Sequence, residues 1–86
     1  MVRYEGNIPK SLRAWCDSNS ERVQEVCHGS GYATDSGRAY DVFVGRGFCA
    51  YEEGSHTVIE PTVSATLEVL RGLSPCECPY CQGKED

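Results

Sequence analysis

The segment SPCECPYCQGKED brings three of the chain's six cysteines, Cys76, Cys78 and Cys81, into six consecutive residues. Thiolates this dense suit a cation that several sulfurs hold at once, and a C-x-x-C step lets two of them reach one tetrahedral Zn²⁺ at about 2.3 Å. Cys76 can join through a turn made by Pro75 and Pro79, although the C-x-C step is tighter than the usual spacing and leaves open whether one thiol stands aside. A structural site takes four protein ligands. The fourth must come from Cys16, Cys27, His28, Cys49 or His56.

Other chemistries compete for the same residues. The tetrapeptide CPYC, Cys78 to Cys81, is identical to the active-site motif of glutaredoxins, which implies a thiol-disulfide oxidoreductase. In that family the motif follows a strand and opens a helix whose N-terminus lowers the pKa of the first cysteine. Here five polar residues follow, which is too few for such a helix, so redox catalysis stands only as an alternative. Gly45, Gly47 and Ala50 in DVFVGRGFCA match the spacing of a dinucleotide-binding loop. That loop also needs a helix, whereas Phe48 to Tyr51 reads as strand, and turn glycines in a hairpin explain the pattern. Adjacent Cys27 and His28 lack a third orienting group, and no catalytic residue is assigned.

The elements that must position these residues read as helices first, then a hairpin, one more helix and the cysteine tail. In residues 8 to 32, Leu12, Trp15 and Cys16 share one helical face; Ser20 and Glu21 then open a second short helix with Val23, Val26 and Cys27 on its apolar side, ended by Gly29 and Gly31. Cys16 and Cys27 act as small hydrophobes on those faces, and whether they also form a disulfide stays open. YDVFV alternates, with Tyr40, Val42 and Val44 on one face and Asp41 and Phe43 on the other. GRGFCAY, the loop EEGS and HTVIE continue it as an antiparallel hairpin or meander. Pro61 begins the last helix, Val63, Leu67 and Leu70 recur on its inner face, and Gly72 ends it. The expected organisation is one small α+β domain: a helical part over 1–32, antiparallel strands over 38–60, a helix over 61–73, a metal-binding tail over 74–82 and a frayed end over 83–86.

This order selects the fourth ligand. A strand over 56–60 carries the chain about 13 to 17 Å away, and a helix over 61–72 brings it back about 18 Å. The tail then arrives beside His56. With EEGS as a four-residue loop, Tyr51 faces His56 and Cys49 is a diagonal neighbour on the same face, which makes Cys49 the reserve ligand.

Composition narrows the function. At 86 residues a single domain buries only about two-thirds of its unfolded surface, so a metal staple would add stability its core lacks. The N-terminus has no apolar run resembling a secretory signal, and no segment approaches the ~18 apolar residues of a membrane span. These features read as a soluble cytoplasmic protein, where thiols bind metal more readily than they form disulfides. The net charge of -5 lies wholly in the C-terminal part: residues 51 to 86 carry Arg71 and Lys84 against seven acidic side chains. A face this acidic repels phosphate backbones and suits a basic protein partner. Glu52, Glu53 and Glu60, in a loop and at a strand end, are the candidate partner-binding residues.

From residue 39 to 81, the YDVFV strand, glycine turn, HTVIEPT, amphipathic helix and LSPCECPYC tail resemble small accessory proteins of bacteriophages and prophages. The resemblance implies an interaction protein, of a class that includes inhibitors of host defence such as anti-CRISPR proteins, which occupy nucleic-acid-binding surfaces of host proteins. The reading that results is a non-enzymatic protein carrying one structural Zn²⁺ on Cys76, Cys78, Cys81 and His56, acting in the cytoplasm of a host cell. Its expected partner is a basic protein surface, with no tight nucleic-acid binding and no membrane contact. The alternative is a zinc-knuckle nucleic-acid binder, for which Tyr80 would be the stacking residue.

Overall fold

The computed structural model describes residues 1–29 and 39–83. Its elements are β1 (Arg3–Glu5), α1 (Lys10–Ser18), β2 (Val23–His28), β3 (Tyr40–Val44), β4 (Phe48–Cys49), β5 (Thr57–Glu60), α2 (Val63–Arg71) and β6 (Ser74–Pro75). The α+β class expected from the sequence is the one found. Gly31, Arg38 and residues 84–86, where a helix end, a strand start and a frayed tail are expected from the sequence, lie outside the described residues.

The main sheet has the order β1-β2-β3-β5, with β1 parallel to β2 and the other pairs antiparallel. Across it Tyr4, Val26, Val42 and Val58 stand in one row, and Leu12 and Cys16 of α1 and Leu67 and Leu70 of α2 pack on that side to form the core. The neighbouring row, Glu5, Cys27, Asp41 and Ile59, has the opposite parity and so points to the other face.

The second helix expected from Ser20 onward is a strand, and a β-bulge is the physical reason for the difference. Val23 pairs with Val44 but Glu25 pairs with Phe43, so Gln24 is an extra residue on β2. The bulge resets the alternation and puts the two core valines, Val23 and Val26, three apart. With buried Cys27 beside Val26 this copies the i, i+3, i+4 spacing of a helix, although Cys27 lies on the far side of the sheet from Cys16. The two thiols are free and do not pair. His28 stacks on Tyr40 with ring centroids 4.1 Å apart, and as strand neighbours Cys27 and His28 point to opposite faces.

The hairpin also differs in its pairing. The expected partner of HTVIE is the GRGFCAY strand, but β5 pairs with β3, while β4 leaves the sheet and pairs with β6. Residues 45–56 therefore form an excursion whose ends are joined by Val44 N–H donating to His56 O at 2.9 Å. Gly45 opens the excursion against the β2 approach, where a Cβ would lie 2.6 Å from Glu21 O. Gly47, at φ 98, turns the chain into β4. A strand follows these glycines, as expected of turn residues.

α2 begins two residues later than expected. Thr62 is its N-cap, accepting from Ala65 N–H at 3.1 Å, and Pro61 precedes the cap. Leu67 and Leu70 are buried and Val63 packs on the core, whereas Glu68 and Arg71 are exposed. Thr66, unread in the sequence, is also buried; its hydroxyl donates to Thr62 O at 2.7 Å. Packing of α2 on β5 returns the chain to the start of β5, where the tail begins.

Candidate metal centre

The start of the tail is held to the excursion by backbone pairing. Cys76 N–H donates to Gly47 O at 2.9 Å, and β6 pairs Ser74 with Cys49 and Pro75 with Phe48. Beyond Cys76 the chain turns tightly, with Gln82 N–H donating to Cys78 O at 3.0 Å and, among the described residues, no helix behind Cys78. Tyr80 fixes the turn from outside. Its ring lies 4.9 Å from the His56 ring on one side, and the Arg46 guanidinium stands 4.8 Å from its centroid.

These contacts bring one ligand atom each from His56, Cys76, Cys78 and Cys81 within 4.8 Å of one another, a group that could hold a metal ion. His56 Nε2 lies 3.2 Å from Cys78 Sγ and 3.9 Å from Cys81 Sγ. Tetrahedral Zn–S and Zn–N bond lengths require N···S separations of roughly 3.6 Å, between these two values. The tautomer is set as well. Phe48 O can only accept, so Nδ1–H donates to it at 3.1 Å and the unprotonated Nε2 is left beside Cys78 Sγ.

Backbone amides supply the remaining polarity. The Cys78 N–H directed at Cys76 Sγ is the chief reason that the Cys76 thiol falls to about 7, against the opposing effect of burial. Burial pushes Cys81 up to about 11 despite the Gly47 N–H, with hydrogen bonds among the neighbouring thiols adding to the rise. One thiolate is thus favoured while a second sulfur keeps its proton, the pattern of a ligand set that sheds protons when a cation arrives.

Cys49 is not one of the four. It is buried beside Cys76, with its thiol 3.9 Å from Pro75 O, and supports the site from behind. The expected arrangement of Tyr51 opposite His56 is also replaced: Tyr51 turns to β5, where its hydroxyl donates to Glu60 Oε2 at 2.6 Å. Glu60 is accordingly half-buried, not fully solvated, while Glu52 and Glu53 are exposed. Cys16 and Cys27 stay apart from the centre. Burial, then Asp17, pushes Cys16 up to about 12, and burial, then the hydrogen bond to Glu25, pushes Cys27 up to about 11. Both are protonated thiols at neutral pH. Sequence reasoning missed Phe48 O, Arg46 and Tyr80 as supports; only the aromatic within CPYC signalled one of them.

Comparison with protein families, with curated proteins and with solved structures gives no match. Among the described residues no helix is long and apolar enough to cross a membrane.

Proposed function

We propose that this chain is a small protein-binding domain closed by one structural zinc ion. The observation that carries the reading is the convergence of three thiols and an imidazole, from a strand start and a tail 20 residues further on, within 4.8 Å. Three sulfurs and one nitrogen as the donor set favour zinc over the harder cations that prefer oxygen. All four positions are filled by the protein, so no site is left for a water nucleophile, and the metal acts on folding instead of catalysis.

Binding to a basic protein surface is the activity that fits the charge. Glu52 and Glu53 stand exposed on the excursion, and the C-terminal part carries the whole charge deficit. The resemblance of residues 39–81 to phage accessory proteins supports a narrower form, an inhibitor that fills a nucleic-acid-binding groove of a host protein. The zinc-knuckle alternative has less support because the Arg46 guanidinium already stands over the Tyr80 ring and the acidic C-terminal part repels phosphates.

Native mass spectrometry of protein purified without chelator tests the reading. One zinc per chain is expected, together with a marked fall in Tm on chelation. A metal-free protein with six reduced cysteines and an unchanged melting curve overturns it.

A further inference from the structure

Of the three carboxylates singled out by charge, Glu60 holds the Tyr51 hydroxyl, and Glu52 and Glu53 follow Tyr51 in the chain and line a cleft with it. Tyr51 is 59 % exposed and has φ 51, a conformation that bulky L-residues rarely adopt. Its hydroxyl is fully engaged on β5, donating to Glu60 and receiving the Ile59 N–H at 3.2 Å. The ring is thus anchored at both ends, by the turn and by the strand. What it presents to solvent is its carbon surface.

Beside it opens a cleft of about 190 Å³, lined by Tyr51, Glu52 and Glu53 together with Gly72, Ser74 and Pro75 and floored by buried Cys49 and Ala50. No lysine or arginine among the described residues lines it. Ser74 and Pro75 of its lining are β6, which pairs with β4 and leads directly into Cys76.

We propose that this cleft receives a single arginine side chain of a protein partner, its guanidinium against the Tyr51 ring and facing the Glu52 and Glu53 carboxylates. Arginine is selected because a planar, weakly hydrated cation stacks on an aromatic face and still forks to carboxylates. A protein arginine is selected over the free amino acid because the latter brings its own carboxylate, which Glu52 and Glu53 repel. The tether to Glu60 means that the ring loses little rotamer freedom on binding. This inference rests on the reading that the acidic part of the chain engages a basic protein, and adds the residue that anchors the contact.

The test titrates the zinc-loaded chain with a blocked tetra-arginine peptide and follows the amide NMR signals. The largest shifts are expected at Tyr51, Glu52, Glu53 and Ser74. Tyr51→Phe keeps the ring but releases its tether to Glu60 and should bind more weakly than the wild type, whereas Tyr51→Ala, which removes the ring, should weaken binding further, about tenfold. Should Tyr51→Ala fail to fold, the exposed pair Glu52→Gln with Glu53→Gln should give the same loss. Binding that survives Tyr51→Ala but is abolished by neutralising Glu52, Glu53 and Glu60 together overturns the cleft and leaves the acidic-surface reading standing. No binding by the wild type, or binding indifferent to every variant, overturns both.

Discussion

His56 Nε2 lies 3.2 Å from Cys78 Sγ while Nδ1 of the same ring lies 3.1 Å from Phe48 O. One side chain therefore ties the tail to the start of β5 and to β4 together, and β4 is itself paired with β6. Ala50 anchors the excursion over residues 45–56 in the core and Phe48 packs against it, and this junction adds a polar tie to the tail. A cation bound there would stabilise the excursion and the tail as one unit.

Loss of a ligand should separate the four donors from their neighbours. Cys76→Ser, Cys78→Ser, Cys81→Ser and His56→Ala should each abolish stoichiometric zinc in elemental analysis. Cys49→Ser, which removes a thiol behind the site, should retain it. Full zinc in His56→Ala with loss in Cys49→Ser would exchange their roles.

Metal affinity should fall as pH falls. Without metal the Cys81 thiol sits at about 11 and Cys76 at about 7, so near neutrality Cys81 must lose its proton for the ion to bind, and below pH 7 Cys76 must as well. Each displaced proton weakens apparent affinity roughly tenfold per pH unit below its pKa. The stabilisation that zinc confers is therefore greatest at the alkaline end and shrinks through pH 7 toward pH 5. Competition with a chromophoric chelator at pH 6, 7 and 8 measures this, and a flat profile would rule out thiolate ligation.

What could be read from the sequence follows from periodicity and density. β3 and α2 repeat their apolar residues at fixed spacing over at least two turns or pleats, and the faces assigned to Tyr40, Val42 and Val44 and to Leu67 and Leu70 are those in the core. The tail was legible because three thiols in six residues crowd more sulfur together than packing or cross-linking calls for. His56 was legible because a strand and a returning helix of similar length must end where they began. β2 was misread because its bulge converts alternation into helical spacing. β1, with the pattern Arg-Tyr-Glu, and the two-residue strands β4 and β6 are too short to show any period. Their pairing is decided by distant contacts. Tyr51 was placed wrongly because nothing in its neighbours signals a positive φ.

Core packing of α2 should be strongly one-sided. Leu70, with no exposed surface, should cost about 2 to 5 kcal/mol when changed to alanine, and Leu67→Ala a similar amount. Glu68→Ala, on the outer face, should cost about 0.5 kcal/mol or less. Urea denaturation of the three variants in the zinc-loaded state checks the face. Equal losses at positions 68 and 70 would mean that α2 is rotated.

Gly45→Ala should destabilise although the backbone there is not left-handed. The added Cβ meets Glu21 O at 2.6 Å, so the β2 approach or the excursion must shift, at a cost of about 1 to 3 kcal/mol. Gly47→Ala meets open space but retains φ 98, and should cost about 1 kcal/mol. Thermal melts separate the two. If Gly45→Ala melts with the wild type, the close approach of residues 21 and 45 is wrong.

Electrostatics should distinguish a protein-binding surface from a nucleic-acid-binding one. Attraction between an acidic surface and a basic groove is screened over about 8 Å at physiological ionic strength, so association with a basic partner should slow as salt rises. Changing Glu52, Glu53 and Glu60 to glutamine should reduce that association. Folding should survive, since Glu52 and Glu53 are exposed and glutamine at 60 can still accept the Tyr51 hydroxyl. For nucleic acid the sign reverses: phosphates are repelled by the same carboxylates, so the triple variant should bind an oligonucleotide better than the wild type, if either binds at all. A gel-shift assay with a mixed oligonucleotide pool at near-physiological salt compares them directly. Weak or absent binding by the wild type is expected, and tight wild-type binding would move the function from a protein surface to nucleic acid.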